Sequence, residues 1–351
     1  MKSLALPRCR GSAPPHAGPP SNALGACSVG GVTRLACAGV FAVLGLAGSA
    51  GLGIAAEPAA LRFGISARSF ADVNESDARA AMKAWAQTVA TERGVSVDPA
   101  LLFLTGVEAI QDAMLTRKID GMAMPTMEYW AMHRAITIRP LLILGLRNGK
   151  ATEDYLLLVH RDTPAPGLAN LRGRSLAIAG DARVSLAAAW LETLLLEAGL
   201  GPLETFFGKH SFAFKQSRVV LPVFFRQTDA CVVTREGFRL LCELNPQLGQ
   251  QLRIIAESPA YLPSLFCFRG DLDFPHFEKI YDGLDAVTTT AAGRQTLALF
   301  QTDQVAARPA SDADATLALL DRHQRLMAES AATAPADLAA VKILQARKGE
   351  P

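Results

Sequence analysis

The chain has 351 residues, 50% of them hydrophobic and 19% charged, with 35 basic and 33 acidic side chains and a formal net charge of +2. That is ample for a buried core, suits two lobes better than one, and excludes a disordered chain. Lys2, Arg8, Arg10 and Arg34 are the basic residues of 1–56, which hold no acidic residue; the remaining 31 basic and 33 acidic side chains leave no basic surplus for nucleic acid or an anionic membrane.

Residues 7–33 are rich in Pro, Gly and Ser, and 35–56 are an apolar Ala, Gly, Leu and Val segment after Arg34, with small residues around 50–56. This reads as a leader with a signal peptide that sends the mature protein out of the cytoplasm. The other reading is a membrane anchor, for which so many Gly and Ala are a poor composition. The stretch before Arg34 exceeds an ordinary n-region, so translation is expected to begin near Val32. Leu24-Gly25-Ala26-Cys27 has the order of a lipoprotein box but lacks a preceding apolar run. Cys9, Cys27 and Cys37 leave with the leader. Cys231, Cys242 and Cys267 remain in apolar surroundings without metal-ligand spacing, so buried thiols are expected, with no metal and no cofactor.

Strand and helix then alternate. Residues 61–65 are a first strand ending in Ser66-Ala67-Arg68-Ser69, and 74–94 a helix with Ala78, Ala81, Met82, Trp85 and Val89 at helical spacing. Residues 101–104 are a strand with Thr105-Gly106 at its tip. Next comes a unit that recurs: a helix over 107–118, Asp120 opening the strand 121–124, and Pro125-Thr126 at its tip. Strands follow at 138–146 and 155–160, the second crossing toward another lobe, then a turn-rich loop at 162–167, a short helix at 168–174 and a strand at 175–179. Gly180-Asp181-Ala182-Arg183-Val184-Ser185 opens a helix over 186–198. The unit recurs where apolar Val219 to Phe225 form a helix, Asp229 opens the strand 230–233, Thr234 stands at its tip, and 236–244 is helical again. Strands at 252–256 and 264–269 follow, the latter returning to the first lobe, then helices at 274–284, 291–300 and 312–331 and a polar tail.

Two units of one design, about a hundred residues apart, predict two α/β lobes facing each other across a cleft. The sheets are expected to be mostly parallel with helices on both faces. The divisions are a leader (1–56), lobe 1 (57–157), lobe 2 (158–258), a return to lobe 1 (259–334) and a tail (335–351). Open α/β sheets bind ligands at the carboxyl ends of their strands, which nominates Ser66, Arg68, Thr105, Thr126 and Thr234 by position. Ser185 opens a helix whose free N–H groups suit an anion, and Arg183 and Arg218 are candidates for a charge-assisted fork. Tyr129 and Trp130, on a helix after a tip, either line the cleft or pack in the core. His160 and His210 have no ligand spacing around them. With no nucleophile elbow, P-loop or paired-carboxylate motif, an enzyme is not expected.

The strand FGIS, the unit ending DGMAMP, the linker LVHRDTPAPGLANLRGRSLAIAG and the run TDACVVT followed by IIAESP together carry a resemblance. Over about 61–300 the chain resembles the phosphate, phosphite and phosphonate substrate-binding proteins of ABC transporters, a type II periplasmic binding fold. The resemblance implies a periplasmic receptor that closes over a small anionic ligand, an oxyanion or phosphonate-like, and delivers it to an ABC permease. The alternatives are a ligand-sensing module for a membrane sensor kinase and an enzyme on the same fold. Three motifs depart from the family pattern. Of its Ser/Thr-rich loop only Ser185 remains; Lys215-Gln216-Ser217 stands where relatives have Gly-His-Glu; and the aromatic residue after the third strand is replaced near Met124. Loss of that Glu argues against an aminophosphonate ligand.

Overall fold

The computed structural model describes residues 60–333 apart from 71–75, 78, 81, 82, 84–93, 165, 166, 184, 276, 300 and 301. The leader, most of the expected helix at 74–94 and the tail lie outside the described residues.

Two sheets organise the fold. One runs β11-β4-β10-β3-β1-β2 and the other β7-β6-β8-β5-β9. The first is built from β1 (Phe63–Ser66), β2 (Leu102–Leu104), β3 (Gly121–Pro125), β4 (Leu141–Leu146), β10 (Ser264–Phe268) and β11 (Gln304–Pro309). The second holds β5 (Tyr155–His160), β6 (Ser175–Ala179), β7 (Lys209–Ala213), β8 (Ala230–Thr234) and β9 (Leu252–Glu257). Helices intervene: α1 (Val107–Leu115), α2 (Thr126–Met132), α3 (Leu186–Glu197), α4 (Leu203–Phe206), α5 (Gln216–Phe224), α6 (Arg235–Leu244), α7 (Pro246–Gln251), α8 (Phe277–Asp282), α9 (Ala291–Leu299) and α10 (Asp314–Thr333). This is the two-lobed type II binding-protein architecture. The sheets are mixed, however. Parallel pairing is confined to β2-β1-β3 and β7-β6-β8, and every pair involving β4, β5, β9, β10 or β11 is antiparallel. Strands that carry the chain between the sheets enter from the opposite direction, which turns the outer half of each sheet antiparallel.

Each sheet is buried on both faces, which explains its continuous apolar runs. In β5 all six residues are buried; Leu157 and Val159 pack on one side with Trp190, Leu191 and Phe206, Leu156 and Leu158 on the other with Val219, Val220 and Val223. The two-residue period of a strand thus feeds two cores at once. At about 1.5–3 kcal/mol for each fully buried large aliphatic side chain, these layers dominate the stability.

The recurring aspartates have one physical job. Asp120 sits at the start of β3 and accepts from the backbone N–H of Arg62, just before the parallel strand β1, at 2.9 Å. Asp229, before β8, accepts from the N–H of Ser175 at the head of the parallel strand β6, also at 2.9 Å, and from the Ser175 hydroxyl at 2.6 Å. Each carboxylate also takes an arginine, Arg62 or Arg174. Burial pushes both carboxyls up, but the hydrogen bonds outweigh it and hold each below its usual range.

Two segments join the sheets, one between β4 and β5 and one between β9 and β10. They are tied to each other where Glu153 and Tyr261 exchange both backbone hydrogen bonds at 2.8 Å.

Candidate functional site

The parallel strands of each sheet run in register, so their carboxyl ends share one edge. Between the two edges lies a cleft of about 1060 Å³. Ser69, Arg147 and Ser264 line it from the first lobe; Asp181, Ser185, Lys215, Gln216 and Thr234 line it from the second; and Glu153 and Asp154 from the connection form its floor.

Local chemistry sets the second lobe's contribution. Gly180 ends β6 with φ +122°, a conformation that a side chain would strain, and turns the chain into the loop before α3. Ser185 is buried and caps α3, its hydroxyl accepting from the Ala188 N–H at 3.1 Å. The N–H groups of Leu186 and Ala187, both lining the cleft, have no place in the helix's own ladder. Thr234 caps α6 in the same way, accepting from Gly237 at 3.1 Å, while the Gln216 side chain accepts from the Thr234 N–H at 3.3 Å. Gly237 permits this approach, because a Cβ there would stand 2.7 Å from Gln216.

Cleft charges are mixed. Arg235 pairs with Asp154 and with Glu257, and Arg239 with Glu236 and Glu243. Lys150 and Lys215 make no ion pair among the described residues. Burial pushes the Glu153 carboxyl up, with Arg147 opposing and Asp154 adding.

The first lobe contributes a cluster of a different kind at the ends of β1 and β3. Ser66 is fully buried and its hydroxyl accepts from the Arg68 N–H at 3.2 Å. Arg68 Nη1 stands 3.4 Å from Glu128 Oε1 on α2. Thr126 opens α2, its N–H donating to Pro263 in the connection at 3.0 Å, and its side chain is fully buried. Arg68 Nε and the Ser69 and Thr126 hydroxyls are buried without a hydrogen-bond partner, and both Glu128 oxygens are buried without a hydrogen bond of good geometry, the Ser66 hydroxyl being close enough to act on them. Burial pushes the Glu128 carboxyl up; the Ser66 hydroxyl and the Arg68 charge pull it back, and Asp181, from the other lobe, pushes it up again. Of this cluster Ser69 is the member that lines the cleft.

Of the residues nominated from sequence, Ser185 and Thr234 line the cleft, and Ser66, Arg68 and Thr126 form the cluster beside it. Five others are placed elsewhere. Thr105 is exposed beyond β2, and Tyr129 is buried in the first lobe's core, where burial raises its hydroxyl. Arg183 is exposed, its N–H donating to Asp181 at 2.7 Å, and Arg218 is exposed on α5; neither lines the cleft. Trp130 packs against the other lobe's core and donates to Asp321 at 2.9 Å. Sequence reasoning did not nominate Ser69, Asp181, Lys215 and Gln216, which line the cleft, or Glu128, which stands in the cluster beside it. The usable signal was a charged Glu128 amid apolar neighbours on a helix that follows a strand tip.

The model of the family described as "ABC transporter, phosphonate, periplasmic substrate-binding protein" matches residues 70–315. The chain belongs to this family of solute-binding receptors. Solved structures share the fold. XAC2383 from Xanthomonas citri, bound to ATP, aligns with a TM-score of 0.57 at 15% identity over 76% of this chain and 98% of that one. A binding protein component of an ABC phosphonate transporter, PA3383 from Pseudomonas aeruginosa, gives 0.51 at 18% identity over 83% and 95%. PhnD1 from Prochlorococcus marinus, in complex with methylphosphonate, gives 0.50 at 13% identity over 75% and 98%. No curated protein matches the chain.

Proposed function

We infer that this receptor works in the periplasm, delivered there by its leader, where it closes over a small anionic ligand and passes it to an ABC permease. The observation that carries the reading is the cleft: the first lobe brings to it Ser69, whose hydroxyl has no partner in the chain, the second brings the start of α3 with its N–H groups outside the helix ladder, and a paired connection joins the two. Free N–H groups at the start of α3 and the unpaired Lys150 and Lys215 favour negative charge there. Contacts made from both lobes at once favour the closed state, so the ligand shifts the population toward it, and the permease reads that shape. Membership of the family and the methylphosphonate complex of PhnD1 support an oxyanion of phosphonate type.

A thermal-shift panel of phosphate, phosphite, methylphosphonate, methanesulfonate and small carboxylates tests the reading. A ligand at a hundred times its Kd stabilises by about 2.7 kcal/mol, well above the noise of a melting curve. If no member moves the melting temperature at millimolar concentration, the anion reading is wrong.

A further inference from the structure

We propose that the anionic head of the ligand carries an unbranched alkyl chain, and that this chain lies in an apolar cavity of the first lobe that opens from the cleft. This deepens the receptor reading and rests on it. The cavity holds about 270 Å³. Among the described residues, Phe63, Ile65 and Phe266 line it from the sheet, and Ile280, Leu284 and Leu297 line it from the segment that carries α8 and α9. Native interiors keep few voids larger than a water molecule, so a space of this size calls for an occupant. An apolar cavity of about 150 Å³ stays dry and takes up benzene; the present one has room for a chain of roughly eight carbons.

Strand pairing shows where the room comes from. Ile65 on β1, Ala123 on β3, Phe266 on β10 and Ile143 on β4 are cross-strand neighbours in that order, and all four line the cavity. Ala123 is the small side chain in a row of large ones, and it leaves the gap. Two residues along β4 on the same face, Gly145 stands opposite Val305 and presents no side chain. Gly145, Ser69, Ser264 and Thr302 line the cavity and the cleft alike, so the two spaces meet there. Apart from Lys279, the polar side chains of the described cavity wall are the three at this junction. An apolar depth behind a polar mouth matches an amphiphile, with its charged head in the cleft and its chain within. The cleft continues the pattern, since Phe214, Leu240 and Leu244 are exposed on the second lobe's wall. An inorganic oxyanion, or one bearing a single methyl group, would use none of this apolar surface.

The test is a chain-length series on one head group. Calorimetric titration of the mature protein compares methyl-, butyl- and octylphosphonate. Each methylene that leaves water for an apolar site tightens Kd by about three- to fourfold, so octylphosphonate is expected to bind at least about a hundredfold more tightly than methylphosphonate. Ala123 lines the cavity and not the cleft, so Ala123→Leu fills the chain's place without touching the head's. In that variant the ratio should fall to about tenfold or less, with methylphosphonate bound as before. Should it not fold, Val305→Phe on the edge strand β11 narrows the same space and takes its place. Equal affinity for methyl- and octylphosphonate overturns the proposal and leaves the anion reading standing. A ratio unchanged in the variant also overturns it, because the chain would then lie outside the cavity. Binding of none of the three overturns both this proposal and the anion reading.

Discussion

Thr126→Val separates a site from a packing fault, because the two readings give opposite signs. The Thr126 side chain is fully buried and its hydroxyl has no partner. Valine keeps the shape and removes the polar atom, and at the first position of α2 the two residues differ little in helix propensity. Leaving a buried hydroxyl unsatisfied costs about 1–3 kcal/mol, so the free variant should be more stable than the native protein by that order. For a chain of this size that is a rise in Tm of roughly 2–6 °C. Ligand affinity should move the other way: loss of one neutral hydrogen bond of about 0.5–1.5 kcal/mol weakens Kd roughly 2- to 10-fold. Denaturant midpoints of the free protein and calorimetry with the best anion of the panel read the two effects separately. A variant that is less stable and binds as well as the native protein would refute the reasoning, since the hydroxyl would then be partnered in the free protein.

Asp120 offers a stability counterpart: its oxygens accept from Arg62 N, Nε and Nη2 and from Arg269 Nη2 at 2.9–3.0 Å, and Arg269 is as deeply buried as Asp120 itself. Asp120→Asn should cost about 1.5–3 kcal/mol in a urea titration, because it weakens the charge-assisted bonds to Arg62 and Arg269 while Arg269 keeps Asp271 and the Ile119 carbonyl. The group's folded-state pKa lies below its ordinary 3.8, so its contribution is complete above that value and disappears as pH falls through the folded one. Native stability should therefore drop below pH 4 more steeply than that of the variant. Burial pushes the Cys267 thiol up to about 12 and Cys231 higher still, so neither should react with a maleimide without denaturant, whereas half-buried Cys242 should label first.

The elements that sequence placed well are those whose signals are local and strong. The strand Ser175–Ala179 is bounded by Arg174 and Gly180, and α3 begins at its capping serine as read. The repeated aspartate was visible as a pattern, although its role of pinning the neighbouring strand's first N–H needs three dimensions to see. Two strands went unread. In β7 the run KHSFA has no apolar alternation because it lies at a sheet edge, and β11 is a half-exposed edge strand ending in Pro309. Mixed sheets were misread as mostly parallel because strand direction depends on how the chain crosses between lobes. The placement of Arg183 and Arg218 away from the cleft lining has a related reason. Helical spacing shows that Val219, Val220 and Val223 are buried on α5 but does not show which polar neighbour looks into the cleft, and Gln216 does so where Arg218 does not.

The helix α10 ties the two lobes together on one side. Ala313, just before it, and Leu317 belong with the first lobe's core, while Leu319 and Leu320 belong with the second's. Asp321 accepts from Trp130 and Arg134, beside the far end of α2, at 2.9 and 3.2 Å. The next two residues reach the far half of α3, Arg322 to Glu197 at 3.1 Å and His323 to Glu192 at 2.9 Å. So α2 and α3, which present Thr126, Glu128 and Ser185 near the cleft at their starts, are clasped at their other ends by one helix. A ligand that draws the two starts together works against a fixed point rather than between two free bodies. On the receptor reading proposed above, the Glu153–Tyr261 pairing and α10 are therefore two places where the lobes would stay joined during closure.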